Sequence, residues 1–400
     1  MRKSSDLLVL TPSVPAGRRN GKLLLDEKAA SGLRLYAELW PGHVRCIFRE
    51  LAGETLPFAS LYEPDELALE IEILPPGSAI PDELLRDAAI VLGSADSHLD
   101  LPLAEQCRRL GVPLAFVIEN ILETRFRIID VSGASLPRRI RRKVWEVQTE
   151  RRRKRAFRLA DGLQSNGTPA AAEYGALVPS VLTYFDTRMR REIMATPNEI
   201  ADRARRLLGN EKLHLAFSGR LERLKGVDDL IDVAGRLVAA GLDFELDIFG
   251  TGSREKPLRE AVERHGLREC VRINAALPFE EGLVPWMREH ADLFLCCHPQ
   301  SDPSCTYMET LGCGVPIAGF ANRAWCGILE QAPVGWAVPI GDTAALARQV
   351  LALNERRDSV VAAAQEAIKL ATKNSFEATF ERRVGHLVDV AKNTRSGRRA

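Results

Sequence analysis

Long apolar runs are missing from this chain. No stretch approaches the roughly 18 consecutive apolar residues needed to cross a bilayer. The run 7–10 behind Arg2 and Lys3 is too short for the core of a signal peptide. These absences predict a cytosolic protein, at most peripheral to a membrane. Cysteine pairs are missing too. The eight cysteines include no C-x-x-C, and the cluster from Cys296 to Cys326 lacks the spacing of zinc ligands, so free, buried thiols are expected. No G-x-x-x-x-G-K-S/T is present, which argues against a P-loop ATPase. The first expected strand runs into Thr11-Pro12-Ser13-Val14-Pro15-Ala16-Gly17, not G-x-G-x-x-G, which argues against a dehydrogenase. A net charge of +1 excludes a strongly basic nucleic-acid binder at the level of the whole chain. No internal repeat is visible at the residue level.

What is present is an ordinary globular composition, 46% hydrophobic and 27% charged, over 400 residues, too long for one core and comfortable for two. Short apolar runs alternate with helix-like segments. Strands are expected at 7–11, 44–48, 71–74, 88–92, 114–118, 162–165 and 181–185, with helices at 22–39, 101–110, 137–159 and 169–176. A second series has strands at 213–217, 244–249, 271–273, 293–296, 316–319 and 335–338, and helices at 227–240, 255–265, 305–313, 343–353 and 359–372. This alternation predicts α/β architecture, with parallel sheets covered on both faces. The polar stretch 187–212 separates the two series, so two doubly wound domains with a cleft between them are expected. Their limits are 1–190 for an acceptor-binding domain and 191–374 for a nucleotide-binding one. A closing helix at 375–390, able to pack back on the first domain, and a disordered polar tail at 393–400 complete the chain.

Two segments carry the chemistry. Behind the run 213–217 comes Ser218-Gly219-Arg220-Leu221-Glu222-Arg223-Leu224-Lys225-Gly226, a glycine turn that sets a guanidinium, an ammonium and backbone N–H groups at the positive end of a helix. Further on, Asp302-Pro303-Ser304-Cys305-Thr306-Tyr307-Met308-Glu309 leads into Gly312-Cys313-Gly314-Val315-Pro316, again loop, helix and strand. Together they describe a diphosphate site. Gly250-Thr251-Gly252-Ser253 after Phe249 is a partial phosphate-loop match and is equally readable as a tight turn.

The set Gly219-Arg220-Leu221-x-x-x-Lys225-Gly226, Ile248-Phe249-Gly250-Thr251-Gly252, and Glu309 before Gly312-Cys313-Gly314-Val315-Pro316 resembles the retaining glycosyltransferases of family 4, over essentially all of residues 211–390. The resemblance implies a GT-B fold of two Rossmann-like domains and a nucleotide-diphosphate sugar as co-substrate, with no cofactor and no metal. It assigns Arg220, Lys225, Ser304 and Cys305 to the donor's diphosphate and Glu309 to its ribose, and Gly219 and Gly250 are further donor-site candidates. It also implies transfer on one face of the sugar, with the departing phosphate oxygen taking the acceptor's proton and no protein nucleophile, unlike the paired carboxylates of retaining glycosidases. Arg220 and Lys225 would stabilise the charge of the leaving group.

The chain departs from that pattern twice. The family carries a second Glu eight residues before the first-named one, and here that position is Ser301. Asp302, one residue later, either reads sugar hydroxyls in its place or caps the following helix. The family's His after the fourth core strand is also missing. In its place stands Val117-Ile118-Glu119-Asn120, so Glu119 becomes the candidate for orienting the acceptor hydroxyl or stabilising oxocarbenium charge. Asn120 and His98, after the preceding strand, are the other acceptor-side candidates, and His98 reads equally as a surface residue.

From Arg138 to Arg158 there are eleven Arg or Lys against two Glu, with Ile140, Val144 and Val147 on one helical face and Trp145 at its edge. This segment is either a charged surface helix or a peripheral contact with anionic membrane that would meet a lipid-linked acceptor. Nucleic acid is disfavoured, because no aromatic platform accompanies the charge. The resulting expectation is a hexosyltransferase acting on a saccharide or lipid-linked acceptor in bacterial surface polysaccharide or glycolipid assembly. The rival reading is a non-catalytic sugar-nucleotide-binding or scaffold protein. A sugar-nucleotide epimerase of the same fold is the third.

Overall fold

The computed structural model describes residues 6–51, 53 and 59–397; Arg2, Lys3 and residues 398–400 of the expected tail lie outside the described residues. The chain divides into two compact units, one made of residues 1–122, 140–184 and 377–400, the other of 123–139 and 185–376.

The first unit holds a seven-stranded parallel sheet and a small antiparallel one. Its strands are β1 (Leu7–Thr11), β2 (Gly17–Arg19), β3 (Lys22–Asp26), β4 (Val44–Arg49), β5 (Ala59–Tyr62), β6 (Glu70–Leu74), β7 (Ala88–Ser94), β8 (Leu114–Ile118), β9 (Gly162–Asn166) and β10 (Val181–Tyr184). The large sheet runs β10-β9-β8-β7-β1-β4-β6. β1 and β7 are buried along their whole length, as expected of central strands covered on both faces. The second sheet, in the other unit, comprises β11 (Leu213–Ser218), β12 (Phe244–Phe249), β13 (Val271–Asn274), β14 (Leu293–Cys296), β15 (Ile317–Phe320) and β16 (Gly335–Val338), in the order β13-β12-β11-β14-β15-β16. Every pairing in it is parallel. Strand order reverses between β11 and β14. In open α/β sheets such a switch point, at the carboxyl ends of the strands, is where ligands bind.

Three expectations need correction. The helix expected over 22–39 begins only at Glu27, and residues Lys22–Asp26 are β3, paired antiparallel with β2 and β5. Leu23 and Leu25 are fully buried while Leu24 is not, a period of two that the run of leucines concealed. Asp26 then caps the helix, accepting from the Ala29 N–H at 2.9 Å. The separator expected at 187–212 is structured. It holds the helix Pro197–Leu208, opened by a capping box between Thr196 and Glu199. That helix buries Arg203 completely, its guanidinium donating to the carbonyls of Ala291 at 2.8 Å and Gly314 at 2.6 Å. The polar tail is helical as far as Gly397, continuing the helix Phe376–Gly397.

That last helix belongs to the first unit. Arg383 Nε donates to Gln164 Oε1 at 2.9 Å, Gln164 Nε2 returns a bond to the Arg383 carbonyl at 2.9 Å, and the guanidinium lies 4.3 Å from the Tyr184 ring centroid. Helices Leu122–Asp130, Val284–His290 and Arg323–Leu329 carry too little periodic pattern to be read from sequence. All eight cysteines are free thiols, five buried and three half-buried.

Candidate functional site

The two chemistry-bearing segments meet at the switch point of the second sheet. β11 ends at Ser218, and the chain turns through Gly219, whose φ of 152° lies in the region reserved for glycine. The turn after β12 packs directly on it. A Cβ on Gly250 would stand 1.9 Å from the Gly219 carbonyl oxygen, and one on Gly252 would stand 2.4 Å from that of Leu221. The Leu221 N–H donates to the Thr251 carbonyl at 2.9 Å, tying the two turns together. Gly226 then starts the helix Val227–Ala239 with φ 63°, against the end of β14, where a Cβ would meet the Cys297 carbonyl oxygen at 1.8 Å. The glycines thus bring two loops and a helix N-terminus closer than any side chain would allow.

Lys225 is the residue that joins the segments. Its side chain is 9% exposed, and its ammonium donates to Asp302 Oδ2 at 3.0 Å and Ser304 Oγ at 3.3 Å. Burial pushes the Asp302 carboxyl up, but the Lys225 charge and hydrogen bond, helped by His298 and Gln300, hold it below the usual carboxylate range. Arg220, by contrast, is exposed, and its guanidinium has no hydrogen-bond or ion-pair partner among the described residues. Ser304 uses its own N–H on the Asp302 carbonyl at 2.8 Å, and Cys305 Sγ lies 3.6 Å from Asp186 Oδ2.

Glu309 stands on the short helix Thr306–Gly312 and meets a residue that sequence reasoning missed. Arg188 forks onto it, Nε to Oε1 at 2.8 Å and Nη2 to Oε2 at 3.2 Å, while its guanidinium lies 4.0 Å from the Phe279 ring centroid. Burial pushes the Arg188 pKa down, but the Glu309 charge and hydrogen bonds outweigh it, leaving it above its ordinary value. Arg188 lies in the stretch read as a separator, and no motif marked it.

The substituted position has its own local explanation. Ser301 is buried and its hydroxyl accepts from the Arg323 N–H at 3.2 Å, serving the start of the helix Arg323–Leu329. Asp302 does not cap the following helix with its side chain: its carboxylate is directed to Lys225, and the N-cap position is Cys305, whose side chain makes no capping bond to the helix.

The acceptor-side candidates lie in the first unit. Glu119 and Asn120 follow β8, and their N–H groups donate to the two carboxylate oxygens of Asp96 at 2.8 and 3.1 Å. Asp96, in the loop after β7, is thus the residue that ties the Glu119 loop to the His98 loop, and it too was missed. His98 is exposed and meets Trp145 edge-on, with centroids 5.3 Å apart. The basic segment is one helix, Leu136–Leu159, on which Leu136, Ile140, Val144 and Trp145 are exposed. One of its cations is architectural. Arg153 is wholly buried, donating to the Ala95 carbonyl at 2.8 Å and pairing with Glu150. Among the described residues no three His, Cys, Asp or Glu are grouped to hold a metal, and Asp228 pairs with Arg254.

Comparison with known proteins gives these positions a setting. Residues 212–356 match the family described as "Glycosyl transferases group 1". A putative colanic acid biosynthesis glycosyltransferase, WcaL, of Salmonella typhimurium is 27% identical over 172 residues, 39% of this chain and 40% of that one. A 2-deoxystreptamine N-acetyl-D-glucosaminyltransferase of Streptomyces fradiae is 29% identical over 157 residues, 38% of this chain and 36% of that one. The chain therefore spans about two-fifths of the length of these curated relatives. The crystal structure of Anabaena Alr3699/HepE in complex with UDP superposes with a TM-score of 0.65 at 15% identity, covering 96% of this chain and 99% of that one. Sucrose-phosphate synthase from Thermosynechococcus elongatus gives 0.65 at 15%, covering 96% and 98%. The chain thus has the GT-B fold, two Rossmann-like parallel-sheet units, and residues 212–356 of its second unit are similar to the glycosyl transferases group 1 domain.

Proposed function

We propose that this protein is a retaining, metal-independent glycosyltransferase that moves a hexose from a nucleotide-diphosphate sugar to a saccharide or lipid-linked acceptor. The observation that carries the reading is the meeting of Lys225 with Asp302 and Ser304 at the switch point of the second sheet, in the same segment as Arg220, which is exposed and unpaired among the described residues. A buried, oriented ammonium and an exposed guanidinium at a helix N-terminus suit a diphosphate leaving group, whose charge grows as the glycosidic bond breaks. In this reading Gly219 and Gly250 give the phosphates access to backbone, Ser304 and Cys305 open the helix that meets them, and Glu309 takes the ribose. Glu119 orients the acceptor hydroxyl, with His98 and Asn120 beside it. The likeness to the colanic acid WcaL proteins supports polysaccharide assembly as the setting, and in this reading the protein works at the cytoplasmic face of the membrane.

The test is a thermal-shift panel of UDP, GDP and ADP with their common sugars, run on the wild type, Arg220→Ala and Lys225→Ala. A ligand at 100 times its dissociation constant raises stability by about 2.7 kcal/mol. One base should shift the wild type and neither variant. No shift from any nucleotide would remove the donor-site reading. Transfer to a labelled acceptor separates the enzyme from the scaffold alternative, which Ser301 motivates and which predicts binding without turnover. The same reading places the helix Leu136–Leu159 against anionic lipid through Ile140, Val144 and Trp145, flanked by Arg138, Arg141 and Arg142. Sedimentation with phosphatidylglycerol-containing vesicles, but not with pure phosphatidylcholine, checks it. Equal sedimentation of an Arg138, Arg141 and Arg142→Glu variant would refute it.

A further inference from the structure

A trough of about 800 Å³ lies in the second unit between the helices Val227–Ala239 and Glu255–Arg264. None of the residues proposed for the donor lines it. Its floor includes Ile231, Leu258 and Leu267, all buried. Midway along one wall stands Gly235, in the interior of its helix. Glycine at such a position costs about 1 kcal/mol relative to alanine. Its φ is not positive, and a Cβ added to it would meet nothing within 4 Å, so neither backbone conformation nor close packing within the fold requires glycine. What the missing side chain does is keep the trough open at its midpoint.

The walls are polar. They carry three carboxylates and three guanidinium groups, with one imidazole beside them. Two of the carboxylates are engaged from within, Arg254 donating to Asp228 at 2.7 Å and Arg236 to Asp232 at 3.1 Å. Glu260, Arg264 and His265 make no side-chain hydrogen bond or ion pair among the described residues. The set is balanced in charge, so a phosphate, a carboxylate or an ammonium meets as many repelling groups as attracting ones. A guanidinium only donates hydrogen bonds and an ionised carboxylate only accepts them, whereas a hydroxyl does both. A row of hydroxyls therefore matches walls on which donors and acceptors stand side by side, over a floor that takes the apolar face of a sugar ring.

We infer that this trough is a second saccharide site, holding a neutral, hydroxyl-rich sugar chain apart from the donor residues. The ligand class follows from the trough, and its use rests on the transferase reading above. One helix serves both places. Val227–Ala239 begins at Gly226, beside the proposed diphosphate site, and its later turns line the trough, so a chain held there stays attached to the unit that binds the donor.

The test is native electrophoresis in gels containing dextran, pullulan or laminarin, with dextran sulfate as the anionic control and no nucleotide present. The proteins are the wild type, Gly235→Met, a double variant Glu260→Gln and Arg264→Gln, and Arg220→Ala. At least one neutral polysaccharide should retard the wild type and Arg220→Ala alike. Gly235→Met fills the trough with a better helix former, so it should melt no lower than the wild type while its dissociation constant for that polysaccharide rises about tenfold. The double variant should weaken to a similar degree, and it decides the matter if Gly235→Met does not fold. Both should keep the wild-type thermal shift with nucleotide. No retardation of the wild type by any neutral polysaccharide would overturn the proposal, and retardation by dextran sulfate alone would make the trough a merely cationic surface. Undiminished retardation of both trough variants would also overturn it, by placing the bound sugar elsewhere. Absence of nucleotide binding by the wild type would instead remove the donor-site reading, which is a separate failure.

Discussion

Replacing Lys225 by alanine removes a buried ammonium and strands a carboxylate, and the two consequences are separable. The Lys225 and Asp302 side chains are 9% and 19% exposed, so solvent screens the pair little. Breaking a buried pair by deleting one partner costs roughly 3–5 kcal/mol, because the remaining charge stays desolvated. Partial access of Asp302 to water, and its freedom to keep the Gln300 bond at 3.3 Å, place the expected loss near the bottom of that range, about 3 kcal/mol. For a unit of this size that is roughly 6–12 °C in melting temperature, at about 2–4 °C per kcal/mol. Adding Asp302→Asn relieves the stranded charge, so the double variant should melt above Lys225→Ala. It should not regain nucleotide binding, since the proposed phosphate contact is still missing. Calorimetry of the wild type, Lys225→Ala, Asp302→Asn and the double variant, with and without nucleotide, reads both quantities. A double variant no more stable than Lys225→Ala would refute the charge-pair account. A double variant that binds nucleotide like the wild type would refute the phosphate role of Lys225.

Three further outcomes follow from the geometry. Arg188→Ala should leave Glu309 without its fork and lower nucleotide affinity about tenfold while the protein stays folded, and Arg188→Lys should not restore it, because the planar fork is lost; unchanged affinity by titration calorimetry would remove Arg188 as a positioning residue. Gly226→Ala places a Cβ 1.8 Å from the Cys297 carbonyl oxygen at a φ of 63°, so it should destabilise by well over about 2 kcal/mol and abolish nucleotide binding, and a folded variant with wild-type melting would contradict the close approach. Stability should fall with pH below 6.5, because burial and Lys225 hold His298 well below that ordinary value and only the unfolded chain then takes up the proton. One such proton contributes a slope of about 1.4 kcal/mol per pH unit. Asp302, with its carboxyl below 3.8, adds a loss only as the pH drops through that lower value. His298→Phe should flatten the melting profile between pH 7 and 5 in part, leaving the share of His386, which burial also pushes down.

The second sheet was legible because its strands are short apolar runs closed by glycine turns. β12 and β14 begin and end where the apolar pattern does. The same logic misread residues 22–26, where consecutive leucines mask a period of two and only the capping Asp26 marks the boundary. It also misread 187–212, where the helix Pro197–Leu208 is anchored by Arg203, a buried cation whose partners are backbone carbonyls more than 80 residues away. Long-range partners of this kind leave no local trace. Arg188 and Asp96 were invisible for that reason, whereas Gly226 and Gly250 announced themselves because only glycine tolerates such contacts, and Gly219 because only glycine readily takes its φ of 152°.

The carboxylate that stands one residue late, Asp302, is accounted for by the lysine it faces. Had Asp302 capped the helix Thr306–Gly312, Lys225 would be a buried cation without a counter-charge, and its pairing with Asp302 explains why the carboxylate sits at this position. An ammonium has three donors, and Asp302 and Ser304 occupy two of them at 3.0 and 3.3 Å. The third is left for the proposed diphosphate, so the pair fixes the direction of the cation without consuming it. Arg220 is built the opposite way, exposed and without a partner among the described residues, and must give up side-chain freedom when it binds. The two cations are therefore expected to differ in how they fail. Arg220→Ala should cost affinity and almost no stability, while Lys225→Ala costs both. Equal melting losses in the two variants would mean that the Lys225 pair contributes nothing to orientation.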